Sequence, residues 1–183
     1  MNTFIALLRA INVGGHNRIG MAPLRDLFTS IGFDNVRTYL QSGNVVACTS
    51  RKNSGPMALT IEREIERVFG HQVRVILRSG EDFQRVISNN PYRKNVDWSR
   101  FYVAFLSGKP TASVLKQLRL PESGDDECEI RGREIYLRCP SGAGKTKLSN
   151  TFFEKSLGIV STIRNWNTVT ALSTMTDGND PPA

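Results

Sequence analysis

Three stretches of this chain carry residue types able to bind or react. The first is Arg9-Ala10-Ile11-Asn12-Val13-Gly14-Gly15-His16-Asn17-Arg18, where cations, amides and an imidazole surround a Gly-Gly pair. Glycine turns the backbone through positive φ without a Cβ clash, so such a loop can fold tightly around a small ligand. The second is Gln41-Ser42-Gly43-Asn44, a turn sequence with three hydrogen-bonding side chains. The third, Cys139-Pro140-Ser141-Gly142-Ala143-Gly144-Lys145-Thr146, ends in Gly-Lys-Thr and is followed by Lys147. Cations, amide donors and the free N–H groups of a helix start all stabilise negative charge, so a phosphate or carboxylate is the ligand these types suit. The candidate ligand contacts are Arg9, Asn12, Gly14, Gly15, His16, Gln41, Ser42 and Asn44. Lys145 and Lys147, at the start of an expected helix from Thr146, are a second anionic contact.

Several sharper chemistries are excluded. A phosphate-cradling loop needs glycine five residues before Gly144, and that position is Cys139; no apolar strand ending in aspartate follows to hold magnesium. His16 and His71 are the two histidines and have no metal-ligand spacing to each other or to cysteine, so no metal site is expected. Cys139 before a helix N-terminus would favour thiolate, but no residue supplies it a base, and no catalytic residue or cofactor is assigned. Asp125-Asp126-Glu127 reads as a solvated run. The aromatics of Phe101-Tyr102-Val103-Ala104-Phe105-Leu106, with Tyr136, resemble an RNA-contacting strand pair. The glycine-and-aromatic octapeptide of that fold is missing, so they read as core. Trp166, between Asn165 and Asn167, reads as the anchor of the last helix rather than a ring-stacking plate.

The elements that position these loops follow from hydrophobic spacing. Phe4-Ile5-Ala6-Leu7-Leu8 is a short apolar run, a strand buried on both faces. Pro23 suits a first helical turn, with Leu24, Leu27, Phe28 and Ile31 on one face and Gly32 as the stop. Strands at 36–40 and 45–48 flank the Gln41-Ser42-Gly43-Asn44 tip. After a polar linker at 51–55, a helix from Pro56 to Gly70 and a strand at 72–77 complete βαββαβ, and Ser79 caps a further helix that Pro91 ends. A right-handed crossover points the first two strands the same way, so the glycine loop and the hairpin tip should be neighbours. The order then repeats: a strand at 101–106, a helix from Pro110, a hairpin with Arg131-Gly132-Arg133 at its tip, and a helix at 146–157. Residues 164–175 read as helix instead of a fourth strand.

The expected fold is therefore α+β: two ferredoxin-like βαββα(β) units packed as one compact two-part protein. The first spans 1–95 with its short helix, the second, incomplete one 96–175, and 176–183 forms a disordered tail. Splitting at residue 95 leaves 13 Lys and Arg against 7 Asp and Glu in the first part, and 11 against 10 in the second. That asymmetry points to a polyanion or phosphate partner. No segment approaches the ~20 apolar residues of a membrane span, so no membrane partner is expected. No signal peptide is expected, and three unpaired cysteines fit a reducing cytoplasm.

Leu8-Arg9-Ala10-Ile11-Asn12-Val13-Gly14-Gly15, Met21-Ala22-Pro23-Leu24 and Arg37-Thr38-Tyr39-Leu40-Gln41-Ser42-Gly43-Asn44-Val45 carry a resemblance to a known family. So do Lys145-Thr146-Lys147-Leu148, Phe152-Phe153-Glu154-Lys155 and Arg164-Asn165-Trp166-Asn167-Thr168-Val169. The chain resembles the domain of unknown function 1697 (DUF1697) family of bacterial proteins over residues 3–175. Ala10 stands where many members carry glycine. The resemblance implies a two-part α+β fold in a cytoplasmic protein and implies no activity. The expected function is binding of a phosphorylated small molecule or a nucleic acid at the glycine loop and hairpin tip. The alternatives are a small-molecule enzyme using the same loop, with His16 or Cys139 as the reactive group, and a protein-interaction module.

Overall fold

The structure, a computed structural model, describes residues 1–51, 54–92 and 97–179. Part of the expected linker at 51–55, the expected boundary at Asn95 and the last four tail residues lie outside the described residues. The chain divides into two units, residues 1–87 with 171–183, and residues 88–170.

Unit 1 runs β1 (Asn2–Leu8), α1 (Met21–Ser30), β2 (Asp34–Tyr39), β3 (Asn44–Thr49), α2 (Ser54–Phe69), β4 (Val75–Ser79) and α3 (Gly80–Ser88). Its sheet has the order β2-β3-β1-β4 with every neighbour antiparallel. Since β3 opposes both β1 and β2, those two strands point the same way, as the crossover argument requires. Phe4, Ala6 and Leu8 face Leu24, Leu27 and Phe28 of α1 and Ile61 and Ile65 of α2. Ile5 and Leu7, on the opposite face, are equally buried, which is why β1 shows no polar alternation. Ser79 caps α3 by accepting from the Asp82 N–H at 3.1 Å.

Unit 2 runs through a short 3₁₀ turn (Trp98–Arg100), β5 (Phe101–Leu106), α4 (Ala112–Gln117), β6 (Glu127–Arg131), β7 (Glu134–Arg138), α5 (Asn150–Leu157) and β8 (Ser161–Asn165). α6 (Trp166–Thr176) follows and continues into unit 1. The sheet order β6-β7-β5-β8 repeats that of unit 1. The register repeats too. Leu8 opposes Val75 and Ile5 opposes Arg78, just as Leu106 opposes Ser161 and Val103 opposes Arg164. Leu8 N–H donates to Gly43 O at 2.8 Å, and Leu106 N–H to Arg133 O at 2.9 Å.

The second unit is thus complete: the helix expected at 164–175 is present as α6 from Trp166, but a fourth strand, β8, precedes it, which corrects the expected absence of that strand. β8 escapes a hydrophobic reading because it is polar and buried. Ser161 donates to Asn150 Oδ1 at 2.7 Å, and Thr162 Oγ1 accepts from buried Arg164 at 2.7 Å. No loop separates β8 from α6; Asn165 ends the strand and caps the helix, accepting from Thr168 N–H at 2.8 Å. Trp166 is buried and stacks on Trp98 with ring centroids 5.2 Å apart, so it anchors. Phe101 and Tyr136 are buried as well, and the unit 2 sheet offers no aromatic platform at those positions.

A braced finger at the end of the first sheet

Residues 9–20 connect β1 to α1. Within them Asn12 N–H donates to Asn17 O at 3.2 Å and His16 N–H to Val13 O at 3.1 Å, and Val13 and His16 form an antiparallel bridge. Gly14 and Gly15 between them have φ of 60° and 81°. Two consecutive left-handed residues make the tight turn that matches strand twist, and glycine takes that conformation without strain. The segment is a miniature hairpin, or finger. Side chains alternate across a strand, and the hydrogen bonds show which face turns inward. Asn12 Nδ2 donates to Ile19 O at 2.9 Å and Gln41 O at 2.7 Å, its Oδ1 accepts from Ile19 N–H at 2.9 Å, and Asn17 Nδ2 donates to Ala10 O at 3.2 Å. Val13 and His16 take the other face and are exposed. Ala10, Asn12 and Asn17 all have φ near +50°, a conformation that asparagine tolerates and alanine adopts only under strain. Hence glycine is the comfortable residue at position 10.

The β2–β3 hairpin tip is built into the finger's base. Gly43 is buried with φ 80°, and a Cβ there would meet Ile11 and Leu8 side-chain carbons at 2.8 Å. Asn44 is buried and closes the tip, donating to Tyr39 O at 2.8 Å and Ser42 Oγ at 3.0 Å. Leu40 is 54% exposed with φ 56°.

The loop and the tip are therefore neighbours joined by direct hydrogen bonds. Of the residues expected there, Asn12 and Asn44 have their amides committed to the brace, and Ser42 takes part in it. Arg9 is half-buried, its N–H donating to Arg74 O at 2.8 Å. Gly14, Gly15, His16 and Gln41 are the exposed ones. Three further residues of the loop and the tip are exposed. Val13 and Leu40 flank the braced Asn12–Gln41 pair, and Arg18 lies across the turn with Nη2 3.9 Å from the position of a Gly15 Cβ. The Gly-Gly pair between short flanks was the hairpin signal that identifies Val13 and His16 as partners.

Lys145 and Lys147 belong to unit 2 and are exposed. The expected helix start at Thr146 is corrected: α5 begins at Asn150, with Ser149 Oγ accepting from Phe152 N–H at 3.2 Å. Thr146 Oγ1 instead accepts from Leu148 N–H at 3.0 Å, so the lysines sit on a loop and face no open helix terminus. That loop is folded onto β5: Ala143 N–H donates to Tyr102 Oη at 3.4 Å, and a Gly142 Cβ would come 2.8 Å from Arg100 Nη1. Cys139 is buried in the unit 2 core, and burial pushes its thiol up, against a smaller opposing effect from Thr146. It does not have the activated thiolate that a helix N-terminus would have given. Among the described residues no His, Cys, Asp and Glu group is placed to hold a metal ion, and no helix is long and apolar enough to cross a membrane.

Two ferredoxin-like units in tandem, one carrying a braced finger, define the architecture: a duplicated α+β protein. The chain belongs to the DUF1697 family, whose members are described as proteins of unknown function and whose model matches residues 1–136. No curated protein matches it. Its structure is similar to that of the conserved bacterial protein SP0830 from Streptococcus pneumoniae, with a TM-score of 0.70 and 24% identity, covering 96% of this chain and 98% of that one. This likeness establishes the fold.

Proposed function

We propose that the chain is a cytoplasmic binding protein for a phosphorylated or nucleic-acid ligand, held at the finger and the adjoining hairpin tip, with Lys145 and Lys147 as a second anionic contact. The duplication carries this reading. In unit 2 the equivalent strand-to-helix connection takes five residues, 107–111; in unit 1 it takes twelve, 9–20. Both sheets have the same order and register, so the fold does not require the longer loop. Yet it is held by four side-chain hydrogen bonds of Asn12 and Asn17 and accepts strained backbone at Ala10. Order beyond the needs of the scaffold, on an exposed loop, is what a binding site requires.

The charge distribution is set by the units. Reassigned by unit, residues 1–87 and 171–183 hold 11 Lys and Arg against 9 Asp and Glu, a net +2, and unit 2 holds 13 against 8, a net +5. The asymmetry seen by splitting at residue 95 reverses, because Arg93 and Lys94 count with unit 2 while Asp177 and Asp180 count with unit 1. Positive charge at the finger comes from Arg9 and Arg18. The test is binding of a fluorescent ADP analogue and of a labelled oligonucleotide by anisotropy at low salt, repeated with Arg18→Ala. Binding of at least one probe, weakened several-fold by the substitution, is expected. Absence of binding by both, or full affinity in the variant, rejects the reading.

A further inference from the structure

We infer that the loop between β7 and α5 holds a phosphate monoester, with the Arg100 guanidinium as its anchoring cation and Lys145 as the second; this deepens the second anionic contact of the reading above and rests on it. The duplication points to this loop as it does to the finger. In unit 1, α2 begins at Ser54, five positions after β3 ends at Thr49; in unit 2, α5 begins at Asn150, twelve positions after β7 ends at Arg138. The sheet order is the same in both units, so the extra residues are not needed to reach the helix. They are nevertheless fixed in place. Cys139 N–H donates to Arg100 O at 2.9 Å, Gly142 N–H to Cys139 O at 2.8 Å and Lys145 N–H to Gly142 O at 3.1 Å, which makes two consecutive turns that share Gly142. Leu148 is buried and ties the loop to the unit 2 core.

Arg100 belongs to this loop by packing. Its Nη1 lies 2.8 Å from where a Gly142 Cβ would be, and Gly142 is buried with φ 87°. Glycine leaves room for the guanidinium and takes that backbone without strain. Arg100 is exposed, and among the described residues its guanidinium has no hydrogen-bond or ion-pair partner. Asp97, three residues before it, is occupied by the Ser99 N–H at 3.0 Å and the Ser99 hydroxyl at 2.7 Å. A guanidinium held by packing with its donors unused is preorganised for an oxyanion, which its planar fork engages through two hydrogen bonds. Lys145 closes the four-residue turn that starts at Gly142, and the ends of such a turn lie under about 7 Å apart. Its exposed, flexible side chain can therefore reach an anion seated on Arg100. The stretch 135–153 holds Arg138, Lys145 and Lys147 and no acid, and Arg138 is paired with Glu127 outside it. Arg100 and two lysines on one loop suit a dianion better than a singly charged carboxylate. A phosphate monoester, with a charge of about −1.5 to −2 at pH 7, is that dianion.

The experiment follows ¹⁵N–¹H NMR spectra of the full chain titrated with AMP, adenosine and acetate. AMP should shift the amides of residues 100 and 141–147 to saturation, and adenosine and acetate should leave them unmoved. Arg100→Gln should weaken AMP about tenfold and Lys145→Gln about threefold, both with unchanged melting temperature. Gly142→Ala keeps every charge but puts a Cβ where Arg100 lies, so it should weaken AMP about as much as Arg100→Gln. Lys116→Gln, at an exposed cation elsewhere in unit 2, should change nothing; a loss equal to that of Arg100→Gln would mean attraction by net charge alone and overturn the inference. A 5′-phosphorylated oligonucleotide and its unphosphorylated twin separate the sources of a monoester. Tighter binding of the phosphorylated strand than of AMP assigns a strand end, and equal binding a small molecule. An unphosphorylated strand that binds as well as the phosphorylated one would mean backbone diesters and overturn the inference. If residues 13–18 respond to a probe in an Arg18-dependent way while 100 and 141–147 stay unmoved, the inference fails with the finger reading intact. If neither segment responds to any probe, both fall together.

Discussion

Alanine at position 43 should unfold the chain at clearly lower urea concentration, and the geometry sets the size of the effect. A Cβ there would lie 2.8 Å from Ile11 Cδ1, Ile11 Cγ1 and Leu8 Cβ. Carbon atoms pack best about 3.5–4.0 Å apart, so the tip must move away from the finger's base; overfilling a packed site of this kind costs about 1–3 kcal/mol. The φ of 80° adds left-handed strain of about 1–2 kcal/mol for a residue with a Cβ. Gly70 separates the two effects. Its φ is 70°, but nothing lies within 4 Å of its Cβ position, so Gly70→Ala carries backbone strain alone. Urea titrations of both variants should therefore differ by roughly 1–3 kcal/mol, with Gly43→Ala the less stable. Equal losses in the two variants, or a loss below about 0.5 kcal/mol for Gly43→Ala, would refute the claim that the hairpin tip is seated on Leu8 and Ile11.

Asn12→Ala removes three brace hydrogen bonds; amide exchange across residues 12–19 should speed up, corresponding to a local loss of about 1–3 kcal/mol, while exchange in β5 and β7 stays slow. Cys139 is buried with its thiol pushed up, and burial pushes the half-buried Cys128 up to about 11. Neither should react with iodoacetamide at pH 8 in the native chain, and both should react in urea; rapid native labelling of Cys139 would contradict its placement in the core. Tyr92 is pushed up to about 12, first by burial and then by Glu127 and Cys128. The folded state thus favours neutral phenol, so its contribution is fully present below the usual tyrosine value near 10 and is lost as pH rises from about 10 to 12. A melting temperature that does not fall across that window would contradict it.

Much of this fold can be read in the residues, and the failures have physical causes. β1 announces itself by an unbroken apolar run, α1 by its Leu24-Leu27-Phe28 face, and the first hairpin by Gly43 and Asn44 between apolar flanks. Crossover handedness then brings loop and tip together from 29 residues apart, as the Asn12–Gln41 bond records. β8 was illegible because Ser161, Thr162 and Arg164 are buried with their polar groups satisfied by one another and by Asn150, a condition with no signature in hydrophobic spacing. The start of α5 was misplaced because Thr146 and Ser149 are both competent caps, and only tertiary packing chooses the later one. Site residues divided along a similar line. Sequence identifies amides suited to an anion, but Asn12 and Asn44 spend theirs on backbone carbonyls, while the exposed Val13 and Leu40 look like ordinary strand residues until the finger is folded.

The central claim is that the finger and tip together hold the ligand. A ¹⁵N–¹H NMR titration of the full chain with a single-stranded oligonucleotide tests it most directly. Chemical-shift changes should concentrate at residues 13–18, 40 and 41, saturate with the anisotropy curve, and need several-fold more oligonucleotide to saturate in Arg18→Ala. Saturating binding that leaves those amides unmoved and perturbs other surfaces instead would contradict it.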